Sequence, residues 1–169
     1  MKRIILLTLA LAIFPAVSEA GDDCENAKAI YQQGVKAMGY EERRELFMRA
    51  TELCPQYAEA FVNLADAHEN LYEYDVAERH YEHALSLKPD FYPSVMGLAE
   101  LYLKTGRFQE SLDSFLKALE IKPNSENAKT GFDVAKHQLG RDRKFLKSGE
   151  IKSCFEQDDV FQLMCMCPG

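Results

Sequence analysis

Five columns of side chains recur every thirty-four residues along this chain. Pro55, Pro89 and Pro123 form one, Ala50, Ala84 and Ala118 a second, and Phe47, Tyr81 and Phe115 a third. Tyr40, Tyr74 and Phe108 make a fourth, and Leu53, Leu87 and Ile121 a fifth. Columns in register over three copies do not arise from composition. A period of this length also excludes a single central core. Each copy is one supersecondary unit that cannot bury its apolar face alone, so the copies must stack.

Each copy reads as two helices. Phe61, Leu64, Ala65 and His68 recur at steps of three and four, and Ala77, Tyr81, Ala84 and Leu85 do the same further on. That spacing puts one apolar stripe on each helix. Ala65, Ala77 and Ala84 stand where two helices cross closely and only a small side chain leaves room. The proline that follows each second helix lacks a backbone donor and disfavours helix in the residue before it.

These columns resemble the tetratricopeptide repeat, whose pattern is Trp-x2-Leu-Gly-x2-Tyr, then Ala-x3-Phe, a small residue and Pro. The second copy matches with Phe61, Leu64, Ala65, His68, Ala77, Tyr81, Ala84 and Pro89. The third matches with Val95, Leu98, Ala99, Tyr102, Ser111, Phe115, Ala118 and Pro123. In the first copy, straight counting places Gly34 in the Tyr column. Gly34 and Tyr31 fit the family better if the first helix pair is about three residues short. The expected fold is all-α: a solenoid of about three helix-turn-helix repeats (24–57, 58–91 and 92–125) and a closing helix (126–139). A linker and cysteine-rich appendage follow over 140–169.

The resemblance implies that first helices line a concave face and that this face binds an extended peptide or a partner helix. On the family pattern the groove positions are Lys28, Gln32, Val62, Asn63, Asp66, Glu69, Met96, Glu100 and Val134. Some members clamp a C-terminal carboxylate with Lys and Asn. Lys28 and Asn63 fit two of those places, but Pro93 and Gly97 stand where the clamp wants basic groups, so no full clamp is expected.

The chain opens with Lys2 and Arg3, an apolar run from Ile4 to Val17, and the small residues Ser18 and Ala20. This is the layout of a secretory signal peptide, residues 1–20, cleaved after Ala20. The run is too short for a spanning helix and contains Pro15. No second long apolar run follows, so no membrane span is expected after cleavage. The expected location is periplasmic or secreted, with another protein or peptide of a bacterial envelope as partner. The formal net charge of −7 argues against nucleic acid.

Catalysis finds little support, and neither enzyme activity nor a cofactor is expected. No Gly-x-Ser-x-Gly, His-Glu-x-x-His or phosphate-loop motif occurs. His68 reads as a packing substitute for Tyr. His80 and His83, one turn apart on a second helix, read as solvated surface.

Five cysteines in an exported chain make oxidised pairs plausible, with one left over. Cys24 opens the first helix of the first copy and Cys54 closes its second, so an antiparallel pair sets them side by side. A bond between them closes a thirty-residue loop, worth roughly 3 kcal/mol. The alternative is two free buried thiols. Cys154, Cys165 and Cys167 lie in the tail, where a disulfide from Cys154 to Cys165 or Cys167 is the default. Met164, Cys165, Met166 and Cys167 also form a soft-ligand set suited to Cu(I), the basis of an alternative copper-binding or thiol-redox function. A further alternative comes from "FLKSGEI", which weakly resembles a helix preceding an OmpA-like domain in some envelope repeat proteins.

Overall fold

A computed structural model of the chain describes residues 20–147, with side chains described over 23–141. The described residues form seven helices: α1 Ala20–Lys36, α2 Tyr40–Leu53, α3 Ala58–Asn70, α4 Tyr74–Leu87, α5 Tyr92–Lys104, α6 Phe108–Ile121 and α7 Glu126–Lys147. The ends of α1, α3 and α5 (Lys36, Asn70, Lys104) are thirty-four residues apart, as are the starts and ends of α2, α4 and α6. The straight register therefore holds from the first repeat onward, and the three-residue shortening is not needed.

The proline column explains where each second helix stops. The amides of Cys54, Lys88 and Lys122 donate to Ala50, Ala84 and Ala118 at 2.8–3.0 Å and end the three helices. Pro55, Pro89 and Pro123 come next and have no N–H to continue. A tight turn follows, with Tyr57, Phe91 and Ser125 donating back to the same three residues.

The alanine columns are closed to solvent: Ala50, Ala65, Ala77, Ala84, Ala99 and Ala118 are all fully buried. Where serine replaces alanine in such a contact, its hydroxyl is satisfied locally. Ser111 Oγ donates to Ala99 O at 2.8 Å and Ser94 Oγ to Tyr81 O at 2.6 Å. The aromatic column supplies the bulk of the core. Phe47, Tyr81 and Phe115 are almost completely buried, each burial being worth roughly 1.5–3 kcal/mol.

Two of these rings seat on glycines of the next repeat. A Cβ on Gly97 would lie 2.3 Å from Tyr81 Cε1, and one on Gly131 would lie 2.2 Å from Phe115 Cζ. The equivalent place in the second repeat is Asn63, and there the ring of Phe47 lies instead against its own repeat, 2.6 Å from where a Gly34 Cβ would be. Glycine in the Tyr column of the first repeat thus makes room for Phe47.

Polar pairs register the repeats behind the core. Arg107 Nη1 donates to Glu78 Oε2 at 2.7 Å, and the Tyr102 hydroxyl donates to Glu78 Oε1 at 2.9 Å. One repeat earlier, Arg44 lies 3.6 Å from Glu73, and Glu73 meets His68 Nδ1 at 2.5 Å. In the turn after α3, Tyr72 adopts a left-handed backbone (φ 64), and Gly106 occupies the same place one repeat on (φ 78). Glycine tolerates that conformation, whereas tyrosine bears a cost of roughly 1–2 kcal/mol.

First helices touch along the array, α3 with α5 and α5 with α7, while no comparable contact joins α2 to α4 or α4 to α6. An array whose first helices approach more closely than its second helices curves toward the first. The helix α7 covers the last exposed core face, with Ala128 and Ala135 buried and Phe132 and Leu139 packed beside them. It runs on to Lys147, past the expected end at residue 139 and into the segment read as linker. Among the described residues, no helix is long and apolar enough to cross a membrane. The signal segment (1–20, apart from Ala20) and the tail from residue 148 lie outside the described residues.

Candidate concave binding face

The face is built by α1, α3, α5 and α7. At its N-terminal end Lys28 and Gln32 are exposed on α1, and Lys28 Nζ pairs with Glu25 at 2.6 Å. Asn63 on α3 is half-buried and donates through Nδ2 to the Tyr31 hydroxyl at 2.8 Å, tying α3 to α1. Tyr31 packs on Phe47 and Tyr57, ring centroids 5.5 and 5.0 Å away. Burial raises its pKa, opposed by the Asn63 hydrogen bond. Asn63 is thus engaged in holding the first two repeats together.

Asp66 sits one turn further along α3. Its carboxylate accepts from Arg43 Nη2 at 3.3 Å and from Asn70 Nδ2 at 3.2 Å. Arg43 occupies the column filled by Ala77 and Ser111 in the later copies. That departure from a small residue is a signal the sequence reading passed over. The guanidinium reaches across to α3, under the rings of Tyr40 and Phe47.

Two expected groove residues are not on the open surface. Glu69 is only 6% exposed, accepting from the Tyr81 hydroxyl at 3.1 Å and paired with Lys104 Nζ from α5. A buried carboxylate needs such partners. Burial alone lowers the Lys104 pKa, but Glu69 more than offsets this and the net shift is upward. Burial and the Glu69 charge both push the Tyr81 phenol up. Met96 is only 9% exposed, packed with Val95, Ala99, Leu112 and Phe115. It is a core residue, because α5 is flanked by repeats on both sides and has little free face. Val62 is likewise half-buried, against the core cluster of Ala65, Ala77 and Tyr81.

Glu100 and Val134 remain open, on α5 and α7. Glu100 is exposed, yet enough protein surrounds it that desolvation raises its pKa. Glu69 and Asp66 push the same way and Lys104 opposes. Two carboxylates of α3 therefore act on Glu100 of α5.

A stack of helix pairs with these columns decides the kind of fold. The sequence profile described as Tetratricopeptide repeat matches residues 71–131.

The chain has the fold of a tetratricopeptide-repeat solenoid.

A curated relative is the small glutamine-rich tetratricopeptide repeat-containing protein 2 of Saccharomyces cerevisiae, 30% identical over 126 residues. The alignment covers 70% of this chain and 36% of that protein, so the chain spans about a third of the relative's length. Among solved structures, the Sgt2 tetratricopeptide-repeat domain from Aspergillus fumigatus superposes with TM-score 0.67 at 17% identity, covering 82% of this chain and 92% of that one. The first such domain of Spaghetti (RPAP3), bound to the HSP90 peptide SRMEEVD, superposes with TM-score 0.60 at 19% identity over 72% of this chain and 93% of that one.

Three of the four histidines, His68, His80 and His83, gather between α3 and α4. His68 is half-buried and bonded to Glu73, its ring stacked on His80 at 5.3 Å between centroids. His83 is exposed and packs on Phe61, centroids 4.3 Å apart. His80 is half-buried rather than solvated, and burial, with the nearby charges of His68, Arg79 and His83, lowers its pKa to about 4. Among the described residues, no three His, Cys, Asp or Glu side chains come together as a metal set. At the N-terminal end Cys24 and Cys54 are joined, Cα atoms 4.8 Å apart. Cys24 lies one turn inside α1 rather than at its start, because α1 begins at Ala20. Cys154, Met164, Cys165, Met166 and Cys167 lie outside the described residues.

Proposed function

We propose that this repeat protein is an exported adaptor that holds an extended segment of another envelope protein on its concave face. The observation that carries the reading is the contact of α3 with α5 and of α5 with α7 along one side of the array, on whose first helices Gln32, Glu100 and Val134 are exposed and Asp66 half-exposed. Repeat solenoids use such extended concave surfaces for recognition. The Spaghetti domain, of the same fold, holds a peptide. Recognition here is noncovalent, with no chemical step, so specificity rests on side chains that are held in place before the partner arrives.

Export rests on the N-terminal signal layout and fits a disulfide between Cys24 and Cys54, since such bonds persist in oxidising compartments. Mass spectrometry of the native protein, with fractionation of the cells, decides it: a mature chain starting near Gly21 in the envelope fraction supports export, and an intact N-terminus in the cytosol rejects it.

The groove is tested by affinity capture from the native host. The parent and a variant with Gln32, Asp66, Glu100 and Val134 changed to Ala are compared after both are shown to be fully helical. Loss of a discrete partner in the variant supports the reading, and an identical partner set sinks it. Met96, Asn63 and Glu69 are left unchanged, because their removal would disturb the core rather than the surface.

A further inference from the structure

This inference rests on the groove reading above and specifies the chemistry of the occupant. Four cations on and beside the concave face already have acids. Lys28 pairs with Glu25, Arg43 with Asp66, Lys88 with Glu59 and Lys104 with Glu69. Glu100 is exposed and forms no hydrogen bond or ion pair among the described residues; it holds the place of Asp66 one repeat on, and their helices α3 and α5 are in contact. Asp66 itself keeps a side chain 42% exposed and shares its one cation through a long 3.3 Å contact. The face thus presents surplus negative charge at its centre, with the exposed Val134 further along it on α7.

We propose that the occupant is an extended peptide with a basic side chain, Lys or Arg, seated against Glu100 and Asp66, and that acidic peptide ends are rejected. Charge complementarity of this kind selects partners chiefly by excluding the wrong ones. An acidic end would set its carboxylates against Asp66, Glu69 and Glu100, where the neighbouring cations Arg43 and Lys104 are already paired with acids. The array brings no replacement for the basic clamp, since Pro93 and Gly97 stand at those places and Asn63 is engaged by Tyr31. Desolvation and the charges of Glu69 and Asp66 raise the Glu100 pKa, Lys104 opposes them, and a bound cation favours the ionised form further. Affinity therefore rises with pH as Glu100 loses its proton.

Fluorescence anisotropy with the full chain tests this. The probes are capped, labelled peptides identical except for Lys or Glu at two central positions, and the heptapeptide SRMEEVD. The Lys peptide is expected to bind, with the Glu peptide and SRMEEVD weaker by about tenfold or more. Glu100→Gln should weaken the Lys peptide about fivefold, the upper range for an exposed charge pair. It should also flatten the rise in affinity with pH, while melting no lower than the parent. Binding of the Glu peptide or SRMEEVD as tightly as the Lys peptide, or no effect of Glu100→Gln, overturns the inference and leaves the groove reading standing. If no peptide binds and the captured partner survives the groove substitutions, both fall.

Discussion

Arg107 reaches across the interface between the second and third repeats to donate to Glu78, nitrogen to oxygen 2.7 Å. The equivalent pair one repeat earlier, Arg44 with Glu73, has the opposite polarity, basic on the second helix and acidic on the turn. Stacking the third repeat directly on the first would set Arg107 against Arg44. Reversing Glu78 to Arg should therefore destabilise the protein by about 1 kcal/mol or more, and adding Arg107→Glu should recover much of the loss. Urea denaturation of the single and double variants measures the coupling, and a double variant no better than the sum of the singles refutes the pairing role.

Glycine at residue 97 has a different reason from glycine at residue 140. Gly97 faces the buried Tyr81 ring, and a methyl group there would overlap it, whereas a Cβ on Gly140 meets nothing within 4 Å. Gly97→Ala should cost about 1–2 kcal/mol, overpacking outweighing the better helix propensity of alanine. Gly140→Ala should gain up to about 1 kcal/mol from propensity alone. Thermal melts that shift the two variants in the same direction would contradict the packing account.

His80 makes stability depend on mild acid. Its folded pKa of about 4 lies below the ordinary histidine value of 6.5, so the unfolded chain binds the proton first. Stability from this group is complete above about pH 6.5 and drains away as pH falls toward 4. Because half of the ring remains near solvent, the loss is about 1–2 kcal/mol rather than the full shift. The groups facing it are His68, His83 and Arg79, and they add to the effect. His80→Asn should flatten the dependence of the urea midpoint between pH 7 and pH 5, and an unchanged slope would assign the pH effect elsewhere.

Cys24 and Cys54 enclose nearly the whole first repeat. Replacing both by Ser should lower stability by about 2–4 kcal/mol, the range for a loop of this length. Reductant should have the same effect on the parent and none on the variant. Equal midpoints for parent and variant under oxidising conditions would mean the bond does not form.

The repeat period was fully legible because the proline and alanine columns act locally, ending helices and permitting close crossings. They fixed the repeat boundaries, and the straight register extends to Gly34, whose place in the Tyr column reflects the ring of Phe47. The groove was legible only as a set of positions. A family pattern says which way Glu69 and Met96 point, not what the neighbouring repeat brings to them. Lys104 and Tyr81 claim the first, and the packed flanks of α5 claim the second. His80 was misread for the same reason, since its cover comes from His68 on another helix. The run from Arg141 to Lys147 looked like linker because it is polar, yet Arg, Lys and Leu are good helix formers and extend the helix that begins at Glu126.

The two ends of the array differ in kind. At one end a covalent bond holds the outermost helix to its partner; at the other, among the described residues, α7 is held by noncovalent contacts alone, mostly packing on the last pair. In a linear stack each repeat leans on its neighbours alone. For the described array, disassembly is expected to start at α7 and travel toward the fastened end, as a zip opens from its free side. The inner repeats that carry Asp66 and Glu100 are then the middle of the track, neither the first to loosen nor the last to hold.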